Sequence, residues 1–84
     1  MQTLGYYNGK IAELDRMQVP MLDRACYFGD GVYDVTFSRN HNIFELDEHI
    51  DRLFQSAALL RIVPPIEHAA LAALVRELVL RVED

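Results

Sequence analysis

The chain has 84 residues, eight of them basic and thirteen acidic, for a formal net charge of −5 at pH 7. That length holds one domain, and the acidic balance argues against a general nucleic-acid or anionic-membrane surface, although one well-placed arginine can still hold a phosphate. A single cysteine, Cys26, excludes an internal disulfide framework.

Leu4-Gly5-Tyr6-Tyr7 and Ile11-Ala12-Glu13-Leu14 flank Asn8-Gly9. Asn-Gly accepts the positive φ angles of a type I′ turn, so the segment predicts a hairpin, with Lys10 pointing to water. Asp15 to Met21 is a connection ending near Pro20, and Gly29-Asp30-Gly31 reads as a turn entering a third strand, expected over 32–39. In that strand Tyr33, Val35 and Phe37 fall on one face, expected inward, and Asp34, Thr36 and Ser38 on the other. Asn40-His41-Asn42 turns the chain, and Ile43-Phe44-Glu45 returns it.

Asp47 is a good N-cap for a helix reaching about Ile62, with Ile50, Leu53, Phe54, Ala57 and Leu60 as its apolar stripe. Pro64-Pro65 breaks it, and a second helix is expected from about Ile66. Leu71, Leu74, Val75, Leu78, Val79, Leu80 and Val82 leave that helix a narrow polar side of Glu77 and Arg81. A helix this apolar is normally covered on more than one side, and 51% hydrophobic residues is rich for so short a chain. Part of the apolar surface is therefore expected to face something outside this sequence. The elements together predict an α/β (α+β) fold: a small, mainly antiparallel sheet with two helices packed on it.

No Cys/His cluster has metal-ligand spacing, and no apolar run approaches the roughly 18 residues of a membrane span. Met1-Gln2-Thr3-Leu4-Gly5 lacks a charged-then-apolar signal pattern, so a cytoplasmic protein with neither membrane nor nucleic-acid partner is expected. Arg52 shares a helix face with His49 and Ser56, at i−3 and i+4. Spacing alone leaves it open between an exposed Glu48–Arg52 pair and a guanidinium that grips an oxyanion. Tyr33 is likewise open between a core tyrosine and a hydroxyl aimed into a ligand pocket. Cys26 has no base beside it in sequence and reads as a small buried hydrophobe. His49 and His68, without an evident partner, read as structural or surface residues.

The order of these groups is more specific than any one of them. Asp23-Arg24-Ala25-Cys26-Tyr27-Phe28-Gly29-Asp30-Gly31-Val32-Tyr33-Asp34-Val35, then Phe44-Glu45-Leu46-Asp47-Glu48-His49-Ile50-Asp51-Arg52-Leu53, then Ser56-Ala57, resembles the N-terminal domain of the fold-type IV pyridoxal-phosphate enzymes. The D-amino-acid aminotransferases are the nearest branch, and branched-chain aminotransferases and aminodeoxychorismate lyase share the fold. Tyr7-Asn8-Gly9-Lys10-Ile11 also fits, so the likeness runs from Tyr6 to Ile62.

The resemblance implies pyridoxal 5′-phosphate as cofactor, with Arg52 matching the arginine that binds its phosphate. Tyr33 matches a tyrosine facing the substrate carboxylate, and Val35 would line the same pocket. It also implies a homodimer that exchanges an amino group between a D-amino acid, such as D-alanine, and a 2-oxo acid. Asp34 departs from the family's usual glutamate, and Ala25-Cys26 from a common glycine-aromatic pair. No catalytic residue is expected within the chain. The Schiff-base lysine and the carboxylate that holds the pyridine nitrogen protonated belong to the family's second domain, and Lys10 lies in the wrong element to replace that lysine. Residues 1–84 are thus expected to be the small N-terminal domain, inactive alone, with the catalytic domain missing. The alternatives are the lyase or branched-chain activity on the same fold and, from another class, a non-catalytic module that dimerises through its apolar helix.

Overall fold

A computed structural model describes residues 3–82. Strands β1 (Leu4–Tyr7) and β2 (Lys10–Glu13) pair antiparallel, Tyr7 opposite Lys10. Asn8 and Gly9 at the tip both have positive φ, 47° and 89°, as the type I′ turn requires. A single 3-10 turn, Leu14–Arg16, follows the hairpin.

Helix α1 (Arg24–Phe28) is a five-residue surface turn not foreseen from the sequence. The Asp23 carboxylate accepts from the Ala25 N–H at 2.9 Å, and Gly29 closes the helix in the left-handed region at φ 67°. The expected turn at Gly29-Asp30-Gly31 is thus also a helix stop. Cys26 lies on α1 and is exposed, contrary to its reading as a buried hydrophobe, because a helix this short covers none of its residues.

The strand expected over 32–39 is paired only at its end. Strands β3 (Ser38–Arg39) and β4 (Asn42–Ile43) form a second two-stranded antiparallel ribbon, Ser38 opposite Ile43. Residues 31–37 keep the two-residue alternation without a partner strand among the described residues. Their faces are the reverse of those expected. Tyr33, Val35 and Phe37 are exposed at 86%, 71% and 64%, whereas Val32, Asp34, Thr36 and Ser38 are half-buried. The Thr36 hydroxyl donates to Phe44 O at 2.6 Å, the Phe44 N–H donates to Phe37 O at 2.9 Å, and the rings of Phe37 and Phe44 stack with centroids 5.0 Å apart. These bonds lay the polar side of the segment against the elements that follow it.

Helix α2 (Leu46–Leu59) starts one residue before the expected cap, after Glu45 in the left-handed region (φ 46°). Asp47 therefore occupies the first turn, where its charge suits the helix dipole, and is not the N-cap. The helix also stops before Ile62. The Ile62 N–H donates to Ala57 O and the Arg61 N–H to Ala58 O, with Arg61 at φ 57°. That pair is a Schellman closure, and it ends the helix before Pro64-Pro65 is reached.

Helix α3 (His68–Val82) begins two residues later than expected and packs across α2. Leu46, Ile50 and Ala72 form the buried cluster, with Ile43, Phe54, Leu71 and Val75 against it. Ala72 is small enough to let the helices approach. His68 ties the start of α3 to α2, with Nε2 3.0 Å from Asp51 Oδ1 and its ring edge-on to Phe54. Ala72 is the only buried residue of α3 among those described, and Leu80 is exposed. The radius of gyration, 13.7 Å, exceeds the about 12 Å of a compact domain this long. The architecture is the expected mixed α/β class, with the strands in two separate ribbons instead of one sheet.

Candidate functional site

Three side chains from two elements meet where the segment 31–37 crosses α2. His49 and Arg52, three residues apart, lie on one face of the helix, and the reversed alternation brings Asp34 onto them. Arg52 Nε donates to Asp34 Oδ2 at 2.7 Å and Arg52 Nη2 to Asp34 Oδ1 at 2.8 Å, a side-on bidentate pair. His49 Nδ1 is 2.6 Å from the same Oδ1. A carboxylate can only accept, so Nδ1 carries a proton and donates it. The 2.9 Å approach of Arg52 Nη2 to His49 Nδ1 is then two donors converging on one oxygen. The Val35 N–H adds a further bond to Oδ1 at 2.9 Å.

Asp34 thus receives four donors, three converging on Oδ1 and one on Oδ2. The bonds from Arg52, then those from His49, hold its carboxyl well below the usual carboxylate range. In return Asp34 raises Arg52 above its ordinary value, first by that hydrogen bond and then by its charge. An apolar cavity of about 220 Å³, lined by Asp34, Thr36, His49, Ile50, Leu71 and Val75 among others, lies beside the pair. Its lining is mainly apolar apart from Asp34, Thr36 and His49.

Exposure grades outward through the cluster. The Asp34 and His49 side chains are 11% and 16% exposed, and Arg52 is 62% exposed. A guanidinium has five N–H donors, and Asp34 takes two of them. Arg52 therefore presents a held cation with spare donors at the surface, which fits one end of a phosphate monoester. Neither Glu48 nor Ser56 engages it among the described residues, so the exposed helix pair weighed for Arg52 is not formed.

Tyr33 and Val35 lie together on the exposed face of the segment, alternating with Asp34. The structure therefore joins Arg52 to Asp34 and His49, and sets Tyr33 and Val35 on the neighbouring outward positions. Hydrophobicity favours burial of the aromatic face, so it gives no sign of Asp34 as a site residue, whereas the structure turns the Asp34 face inward. The available signal was the carboxylate in step with Thr36 and Ser38, two elements before a helix face carrying His49 and Arg52.

The family model for amino-transferase class IV matches residues 31–84, which contain this whole cluster, and the chain belongs to that family. It is 42% identical over 73 residues to a D-alanine aminotransferase of Bacillus licheniformis, a match covering 87% of this chain and 26% of the relative. A D-alanine aminotransferase of Listeria monocytogenes serotype 4b (strain F2365) is also 42% identical, over 72 residues, 86% of this chain and 25% of that protein. A putative branched-chain-amino-acid aminotransferase of Methanocaldococcus jannaschii is 38% identical over 61 residues, 73% of this chain and 21% of the relative. The chain spans about a quarter of the length of the D-alanine aminotransferases it matches. Among the described residues no helix is long and apolar enough to cross a membrane.

Proposed function

We propose that the chain is the small domain of a cytoplasmic, homodimeric, pyridoxal-phosphate-dependent aminotransferase that moves an amino group between a D-amino acid, such as D-alanine, and a 2-oxo acid. The observation that carries this reading is Arg52, held side-on by Asp34 at 2.7 and 2.8 Å with donors left at the surface, inside the segment that matches the family model. In this reading Arg52 holds the cofactor phosphate, Tyr33 orients the substrate carboxylate, and Val35 shapes the pocket beside it. The exposure of Tyr33 and Val35 supports a wall completed by groups outside the described residues. Bound pyridoxal phosphate supplies the electron sink for the amino transfer. The lysine that carries it and the carboxylate facing its ring nitrogen belong to a second domain, so this chain alone is inactive.

The two D-alanine aminotransferases support the D-amino-acid branch over the branched-chain one by identity and coverage. The branched-chain relative keeps a second reading alive, in which the same site takes an L-amino acid with a branched side chain. Substrate profiling of the full polypeptide with D-alanine and L-leucine separates the two. The cofactor assignment is tested by Arg52→Ala in the full polypeptide. Loss of charge-assisted bonds worth about 1.5–3 kcal/mol lowers cofactor affinity roughly ten- to 150-fold. Unchanged titration curves refute it.

A further inference from the structure

Asp34 presents a puzzle of sign. It is an anion within hydrogen-bond distance of the residue assigned to bind another anion. Its charge cancels that of Arg52, so attraction alone would be better served without it. What it supplies is direction. The carboxylate occupies the Nε and Nη2 hydrogens on one side of the guanidinium, which leaves the Nη1–Nη2 edge as the fork for an incoming oxyanion. Its own orientation is fixed by the His49 Nδ1–H and the Val35 N–H, both on Oδ1. The two inner residues are largely buried and the arginine is largely exposed, as a mount and the group mounted on it would be.

Resting on the assignment of Arg52 to the phosphate, we propose that Asp34, backed by His49, is a positioning residue that fixes the guanidinium plane of Arg52 so that its free edge meets a phosphate monoester. Asp34 itself touches no cofactor. Its presence trades net positive charge for a preset donor geometry, and the binding energy gained is specific to the phosphate.

The test uses the full polypeptide and two probes, pyridoxal 5′-phosphate and pyridoxal, which lacks the phosphate. Binding is followed by absorbance titration. Asp34→Asn is expected to weaken pyridoxal phosphate about tenfold and to leave pyridoxal unchanged. Asp34→Glu, which keeps both acceptor oxygens, is expected to return affinity to within about threefold of the parent. In an Arg52→Ala background, Asp34→Asn is expected to have no further effect. Tighter or unchanged pyridoxal phosphate binding by Asp34→Asn overturns the proposal, because charge then outweighs direction. Equal weakening of both probes also overturns it, because the role is then one of folding. If Arg52→Ala weakens binding but Asp34→Asn acts at full strength without the arginine, this proposal fails and the phosphate assignment stands. If Arg52→Ala has no effect, both fail.

Discussion

Removing one oxygen atom from Tyr33 separates a substrate contact from a structural role. The Tyr33 side chain is 86% exposed, and its hydroxyl makes no hydrogen bond among the described residues. Tyr33→Phe therefore breaks no contact within the domain, and its effect on stability should stay within about 0.5 kcal/mol. If the hydroxyl donates to the substrate carboxylate, the variant loses a hydrogen bond to a charged group, worth about 1.5–3 kcal/mol. That corresponds to a fall in kcat/KM of roughly ten- to 150-fold for D-alanine. The assay is steady-state transamination by the full polypeptide, run beside ethylamine, which carries a hydrogen in place of the carboxylate of D-alanine. The substitution should leave the slow reaction of that amine unchanged and should not alter cofactor titration. Equal kcat/KM for D-alanine in parent and variant would refute the reasoning, as would an equal loss for both amines.

Two further expectations follow from local geometry. Because Arg61 closes α2 at φ 57°, a conformation costing a non-glycine residue about 1 kcal/mol, Arg61→Gly should slow hydrogen exchange of the Ile62 amide about fivefold; faster exchange would show that this closure is unstrained. Asp34 is depressed in the fold by its bonds from Arg52 and His49, so its contribution to stability is complete above the ordinary carboxylate range. It is lost as the pH falls below that range and the folded carboxyl takes up a proton. Acid unfolding followed by circular dichroism should therefore show the stability gap between parent and Asp34→Asn closing below about pH 4. A gap that holds constant from pH 6 to pH 2 would sink the ion-pair account.

Much of the molecule was legible in the chain because its signals are local. Asn8-Gly9 demands positive φ at two successive residues, which a type I′ hairpin provides without help from any other part of the fold. The apolar spacing of α2 and α3, and the order of the motif residues from Asp23 to Arg52, likewise needed no partner to be read. Helix ends were less accessible. Asp47 has the chemistry of a cap, but left-handed Glu45 and Arg61 set the limits of α2, and those angles depend on how neighbouring segments turn.

The third strand shows where local information stops. Alternation in residues 32–37 correctly separates two faces, but it cannot say which face is inside or whether another strand lies alongside. Hydrophobicity pointed to Tyr33, Val35 and Phe37 as the inward set. Tertiary packing chose the other one, because His49 and Arg52 on α2 satisfy the Asp34 carboxylate and Phe44 satisfies the Thr36 hydroxyl. The sequence by itself determined the first hairpin, the two long helices, the family and the identity of Arg52 as a candidate anion ligand. Only the tertiary structure decided that Arg52 is held by a carboxylate 18 residues earlier, since burying a charged group is tolerated where its partners converge in space.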